Sequence, residues 1–310
     1  MQALYAAGQG DEVPFTAQLK SLKQSVSDSF RLLMYQLFLI TKTAEYSVED
    51  SIVKSSKHLP TEEDKKFSVR VFHNPLVQKI VNDHGFKSSN AREHFDLLCE
   101  KDYFKTWFKS LEDTSAYKNF IPLETATTED DLKMVLYLYR KVLLQNEIFT
   151  QHCEDTFRNW TDDHYVIEMQ VAKLIEKISE SVLAEKNGKA EKQIFFPSQM
   201  KEENEFAEEL LNRTFYNNEY LTSLITPKLE NWDKERVAQI DLLLMEMALA
   251  EMLYFENIPV KATINEYIEI AKSYSTPKSG EFINGILDRI KNELTSQGLL
   301  TKKGRGLIEN

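Results

Sequence analysis

The segment DKERVAQIDLLLMEMALAEMLYFENIP, Asp233–Pro259, decides the fold. Asp233 is a good N-cap, and the residues after it are apolar on almost every side. A helix that is apolar all round belongs at the centre of a bundle, because every face must be covered. Glu246 and Glu251 interrupt it. Pro259 ends the segment, and VKATINEYIEIAKSYS then reads as a second helix. TPKSGEFINGILDRIKNEL reads as a third, with Thr276 as a candidate cap and Pro277 at the favoured first position. Upstream, KEENEFAEELLNRTFYNNEYLTSLITPKLENW carries two apolar faces, Phe206–Leu210–Leu211 and Tyr220–Leu221–Leu224–Ile225.

The same periodicity runs through the rest of the chain. From Phe15 to Thr43, Leu19, Leu22, Val26, Phe30, Leu33 and Leu37 recur at three- and four-residue spacing, which predicts a long helix. HLPTEEDKKF reads as a polar connection. NPLVQKIVNDHGF reads as a short helix entered at Pro75 and stopped at Gly85. TTEDDLKMVLYLYRKVLLQNEIFTQHCED is expected to be helical, capped by Thr127 or Thr128, with Glu129, Asp130 and Asp131 at the positive end of its dipole. Tyr103, Phe104, Trp107 and Phe108 read as core. No stretch alternates like a strand, and only KQIFFPS reads as an extended linker. The expectation is an all-α protein. It divides into an N-terminal helical region over 1–198, a C-terminal helical domain over 199–295 and a flexible tail over 296–310.

Composition limits the function. The chain has 310 residues, a formal net charge of −11 and only 9 Gly and 8 Pro. Its acidity argues against a generally basic, nonspecific nucleic-acid-binding surface. Two cysteines, Cys99 and Cys153, support neither a disulfide framework nor a four-ligand zinc site, and fit a reduced, cytoplasmic setting. The longest apolar run, Leu32–Ile40, is too short to span a bilayer. The six histidines are scattered, and no phosphate loop, nucleophile elbow or paired acid–base constellation stands out. No catalysis, metal or cofactor is expected.

Two details bear on function. MQALYAA has helix composition from its first residue, with no capping residue ahead of it. Gly280 and Gly285 fall inside an otherwise amphipathic helix, where glycine costs about 1 kcal/mol relative to alanine.

The stretch from about Glu203 to Ile290 resembles the C-terminal part of the NusB family of bacterial transcription antitermination factors. The resemblance rests on the order of LENW, the apolar central helix, IPVKATINEYIEIAK and FINGILD. MQALYAAGQ is similar to part of that family's first helix. The resemblance implies an all-helical, NusB-like bundle that binds boxA RNA in ribosomal RNA leader transcripts. The implied partners are NusE, a small-subunit ribosomal protein, and the RNA polymerase antitermination complex; no membrane and no catalysis are implied. Carried to matching positions, it makes Tyr274, Lys278, Phe282 and Lys272 the RNA-binding candidates. Aromatic rings stack on unpaired bases and lysines meet phosphates. Gly280 would permit close approach of RNA or a neighbouring helix, and Gly285 a tight helix crossing. Glu246 and Glu251 are the candidate partner-binding residues. The arginine-rich segment that usually precedes the first helix is missing, which leads to the expectation of a shortened N-terminus and weak autonomous RNA binding. Two other readings follow: a NusB-fold interaction module that has lost RNA binding, and an enzyme bearing a NusB-like domain, which the lack of a nucleotide-binding glycine motif disfavours.

Overall fold

The computed structural model describes residues 1, 4–5, 14–56, 68–189, 196–229 and 238–307; for 196–203 only the backbone is described. The described residues are helical and contain no strand. Several features named from sequence lie outside them: most of MQALYAAGQ, the connection after Lys57, most of KQIFFPS, the Glu230–Trp232 part of LENW, and the cap Asp233. Two compact units are present. One comprises Met1–Gln24 with Lys201–Asn310, the other Ser25–Met200.

This division differs from the linear one expected from sequence, because the first residues group with the last. Phe15 packs on Phe215 and Tyr216, with ring centroids 5.2 and 5.0 Å apart, and Lys23 pairs with Glu208 at 3.0 Å. Helix α1, Phe15–Ser55, is a single 41-residue helix that contributes residues to both units.

In the 25–200 unit, the centre of α1 is covered on every side: Leu32, Met34, Tyr35, Leu37, Leu39, Ile40 and Ala44 have no exposed surface. Gln36 is equally buried and accepts the Tyr139 hydroxyl. The surrounding helices are α2 (Pro75–Asn82), α3 (His84–Glu93), α4 (Lys101–Glu112), α5 (Ser115–Phe120), α6 (Thr128–Tyr137), α7 (Glu147–Thr156) and α8 (Trp160–Lys186). Trp107, Phe108 and Phe149 pack into this core, as their aromatic character suggested for the first two.

Caps explain where these helices begin and end. Gly85 does not stop the helix entered at Pro75. Asp83 does: its extended backbone closes α2 and its carboxylate accepts the Phe86 amide at 2.8 Å to open α3. Thr127 and Asp130 form a reciprocal capping box at α6. The long helix expected beyond it is interrupted by a π-helical turn, Leu138–Leu143, and restarted by Asn146, whose Oδ1 accepts the Ile148 and Phe149 amides at 3.0 and 3.2 Å.

In the other unit, α9 (Phe196–Tyr216) and α10 (Asn218–Ile225) pack with three successive helices, α11 (Gln239–Tyr254), α12 (Val260–Tyr274) and α13 (Ser279–Ser296). Helix α11 is the apolar centre, with Leu244, Met245, Ala248, Leu249 and Ala250 fully covered. The segment after α13 is ordered onto this bundle rather than being a loose tail. Leu300 packs on the core, Lys302 Nζ donates to the Phe255 carbonyl at 2.8 Å, and the Lys303 amide donates to the Glu256 carbonyl at 2.9 Å.

Candidate nucleic-acid interface

The turn between α12 and α13 collects the residues singled out for RNA. Tyr274 is the last residue of α12, 37% exposed. Lys278 is the residue that opens α13 and is exposed; among the described residues its ammonium has no ion-pair partner. Phe282, in the first turn of α13, is half-buried against the bundle core. Lys272 lies in the last turn of α12, and its ammonium is held by Glu269 three residues back. Its charge is therefore partly committed, and exposed Glu281 adds a second carboxylate nearby in sequence.

Thr276 and Pro277 do not start the helix; they lie in the turn, and α13 begins at Ser279. The reason is a buried carboxylate. Asp241, in the first turn of α11 and 5% exposed, accepts the Ser275 hydroxyl at 2.5 Å and the Ser279 hydroxyl at 2.8 Å. Ser279 Oγ in turn accepts the Thr276 amide at 3.2 Å. Sequence reading missed Asp241. Its signal was present: a third acid in a helix otherwise bound for the bundle centre must have polar partners.

Of the two glycines, Gly280 serves the close approach of a neighbouring helix, one of its two expected roles, and Gly285 does not serve the tight crossing expected of it. Gly280 is buried where α13 crosses α12. A Cβ there would meet Ile268 Cγ2 at 3.4 Å and its carbonyl oxygen at 3.8 Å. Gly285 is not at a helix crossing: it is exposed, and nothing lies within 4 Å of where its Cβ would be.

The partner candidates also separate. Glu251 is 7% exposed, with Thr263 Oγ1 donating to it at 2.7 Å and the Tyr267 hydroxyl at 3.4 Å. Burial pushes its carboxyl up, and these hydrogen bonds pull part of the way back. Glu251 thus ties α11 to α12 and is not a surface contact, because its oxygens are consumed inside the bundle. Glu246 is 5% exposed and accepts Thr222 Oγ1 at 2.7 Å; burial raises its carboxyl as well. It differs from Glu251 in facing a cleft of about 930 Å³, whose walls include Tyr5, Phe215, Tyr216, Tyr220 and Leu242.

Among the described residues, no group of three His, Cys, Asp or Glu side chains is placed to hold a metal ion, and no helix is long and apolar enough to cross a membrane. Cys99 is no nucleophile at neutral pH, since burial pushes its thiol up to about 12.

Comparison with known proteins places a relationship over this same region. The NusB family model matches residues 164–292, beginning within α8, some 40 residues earlier than the resemblance read from sequence, and excluding the opening MQALYAAGQ. Curated relatives named transcription antitermination protein NusB include one from Chloroherpeton thalassium, 47% identical over 105 residues, covering 34% of this chain and 50% of that protein. One from Salinibacter ruber is 47% identical over 104 residues, covering 34% and 65%. One from Natranaerobius thermophilus is 38% identical over 90 residues, covering 29% and 65%. The chain thus spans between half and just under two thirds of the length of these relatives. No solved structure matches. Residues 164–292 of this chain carry a NusB-family domain, the helical domain of a family of transcription antitermination factors.

Proposed function

We propose that this protein binds boxA-type RNA jointly with NusE and supports antitermination on ribosomal RNA transcripts within the RNA polymerase complex, without catalysing a reaction. The observation that carries the reading is the α12–α13 turn. It presents Tyr274 and Lys278 to solvent, with Phe282 beside them on a frame anchored to the bundle centre. An exposed ring, and an ammonium with no ion-pair partner among the described residues, on a rigid turn suit an unstacked base and its phosphate. The mixed charge of the surface, with Lys272 tied to Glu269, supports weak binding by this chain alone and dependence on a basic partner. For NusE, the cleft lined by Tyr5, Tyr220 and Glu246 is the proposed docking place, since it combines aromatic walls with a carboxylate. In this reading the functional module is the unit that contains α9–α13.

The test is anisotropy of a labelled boxA RNA titrated with the full chain, with and without NusE, at two salt concentrations. Binding that tightens with NusE and weakens in Phe282→Ala is expected. NusE binding with no RNA binding in either condition would instead leave a protein-interaction module, a reading that the Lys272–Glu269 pair favours.

A further inference from the structure

Asp241 is the one carboxylate of α11 whose described partners all lie in the turn that presents the RNA candidates. Its two oxygens are both engaged, Oδ1 by Ser275 and Oδ2 by Ser279. The two hydroxyls also meet each other at 2.9 Å, and Thr276 Oγ1 meets Ser279 Oγ at 2.8 Å. Ser279 is 2% exposed, so this network is closed to solvent at its base. A buried carboxylate needs partners for both of its oxygens, and here the two that it finds are the residues that bracket Thr276–Lys278. The Ser275 amide still bonds back to Ala271 at 2.9 Å, so the turn is pinned at both ends.

We infer that Asp241 is a positioning residue for RNA recognition. It touches no RNA itself; it fixes the turn so that Tyr274, Lys278 and the first turn of α13 meet the RNA in one geometry. Without it, the hydroxyls of Ser275 and Ser279 lose their common acceptor, and the turn samples other conformations. The affinity is then reduced by the fraction of time the competent geometry is populated. This inference rests on the RNA-binding reading above, but its structural half can be tested without RNA.

The experiment pairs amide hydrogen exchange with RNA anisotropy in the full chain, with NusE present, for wild type, Asp241→Ala, Asp241→Asn and the milder Ser275→Ala/Ser279→Ala double variant. In Asp241→Ala and the double variant, exchange over 274–282 should accelerate about tenfold or more, while α11 and α12 keep their protection. RNA affinity should fall by roughly tenfold. Tyr274→Ala should cost much less in the Asp241→Ala background than in wild type, the non-additivity expected if both act through one geometry. Asp241→Asn should restore most of the affinity, because its carbonyl accepts one hydroxyl and its amide donates to the other. Unchanged exchange over 274–282 would overturn the latch whatever the RNA does. A loosened turn with unchanged RNA affinity, or a strictly additive effect with Tyr274→Ala, would overturn the positioning role while leaving RNA binding intact. Wild type that binds no RNA would overturn the RNA reading, and the role of Asp241 in it, even if the turn loosens as described.

Discussion

Gly306 lies so close to the carbonyl oxygen of Glu256 that a Cβ on it would sit 2.1 Å away. Only a residue without a side chain fits there, which is how the C-terminal segment reaches the turn after α11. Gly306→Ala should therefore release the segment, breaking the Lys303–Glu256 backbone bond and the Lys302–Phe255 contact. The expected cost is about 1–2 kcal/mol in denaturant unfolding, together with loss of exchange protection over 299–307. An alanine variant with wild-type stability and protection would show that the contact is not needed.

Gly285 presents the opposite case. It occupies the interior of α13, exposed, with no neighbour to clash with a methyl group. Gly285→Ala should stabilise the protein by about 0.5–1 kcal/mol through helix propensity alone. RNA titration of the same variant asks a second question: a more stable protein with weaker RNA binding would mean that ligand approaches the backbone at this position.

Asn146 Oδ1 accepts three N–H groups: the amides of Ile148 and Phe149 and, at 3.2 Å, the indole of Trp107. Asn146→Ala removes a helix cap and leaves a fully buried tryptophan without its acceptor. Chemical denaturation should show a loss of about 2–3 kcal/mol, while Asn146→Asp should retain most of the stability.

Glu251 predicts a pH dependence. Its folded carboxyl titrates above the ordinary value of 4.5, chiefly through burial. The folded state therefore binds this proton more tightly than the unfolded state does. The resulting stability is fully present below the ordinary value and is lost as pH rises through the raised one. Glu251→Gln removes the titration. Measured from about pH 4 to about pH 7.5, unfolding free energy of wild type should decline relative to the glutamine variant. Parallel curves would show that Glu251 does not titrate as described.

At the proposed RNA surface, Tyr274→Ala and Phe282→Ala should each cost about 1–3 kcal/mol of RNA affinity, as loss of a stacking ring does. Lys278→Ala should reduce the slope of log affinity against log salt by about one phosphate contact. Lys272→Ala should reduce it less, because that ammonium already has Glu269. Equal slopes for wild type and Lys278→Ala would remove Lys278 from the interface.

The sequence by itself determined that the chain is helical, because apolar residues recur at three- and four-residue spacing and strand alternation is missing. It also marked α11 as the bundle centre, since a segment apolar on every side has no other stable place. Family resemblance was legible through the NEYIEIAK and NGILD segments. What it did not determine depends on contacts between residues distant in the chain. Periodicity assigns a carboxylate to a helix face, but only the position of Thr263 shows that Glu251 is consumed internally. Helix propensity marks both glycines as costly, but only the crossing of α12 and α13 shows that Gly280 is the close approach and Gly285 the open one. The tail looked loose because it contains glycines and is mildly basic; its order comes from the Lys303 amide on the Glu256 carbonyl and the Lys302 ammonium on the Phe255 carbonyl, which composition does not encode. Asp241 is the clearest case. Nothing local distinguishes it from Glu246, and its role exists because α11 and the α12–α13 turn meet, bringing Ser275 and Ser279 to its two oxygens.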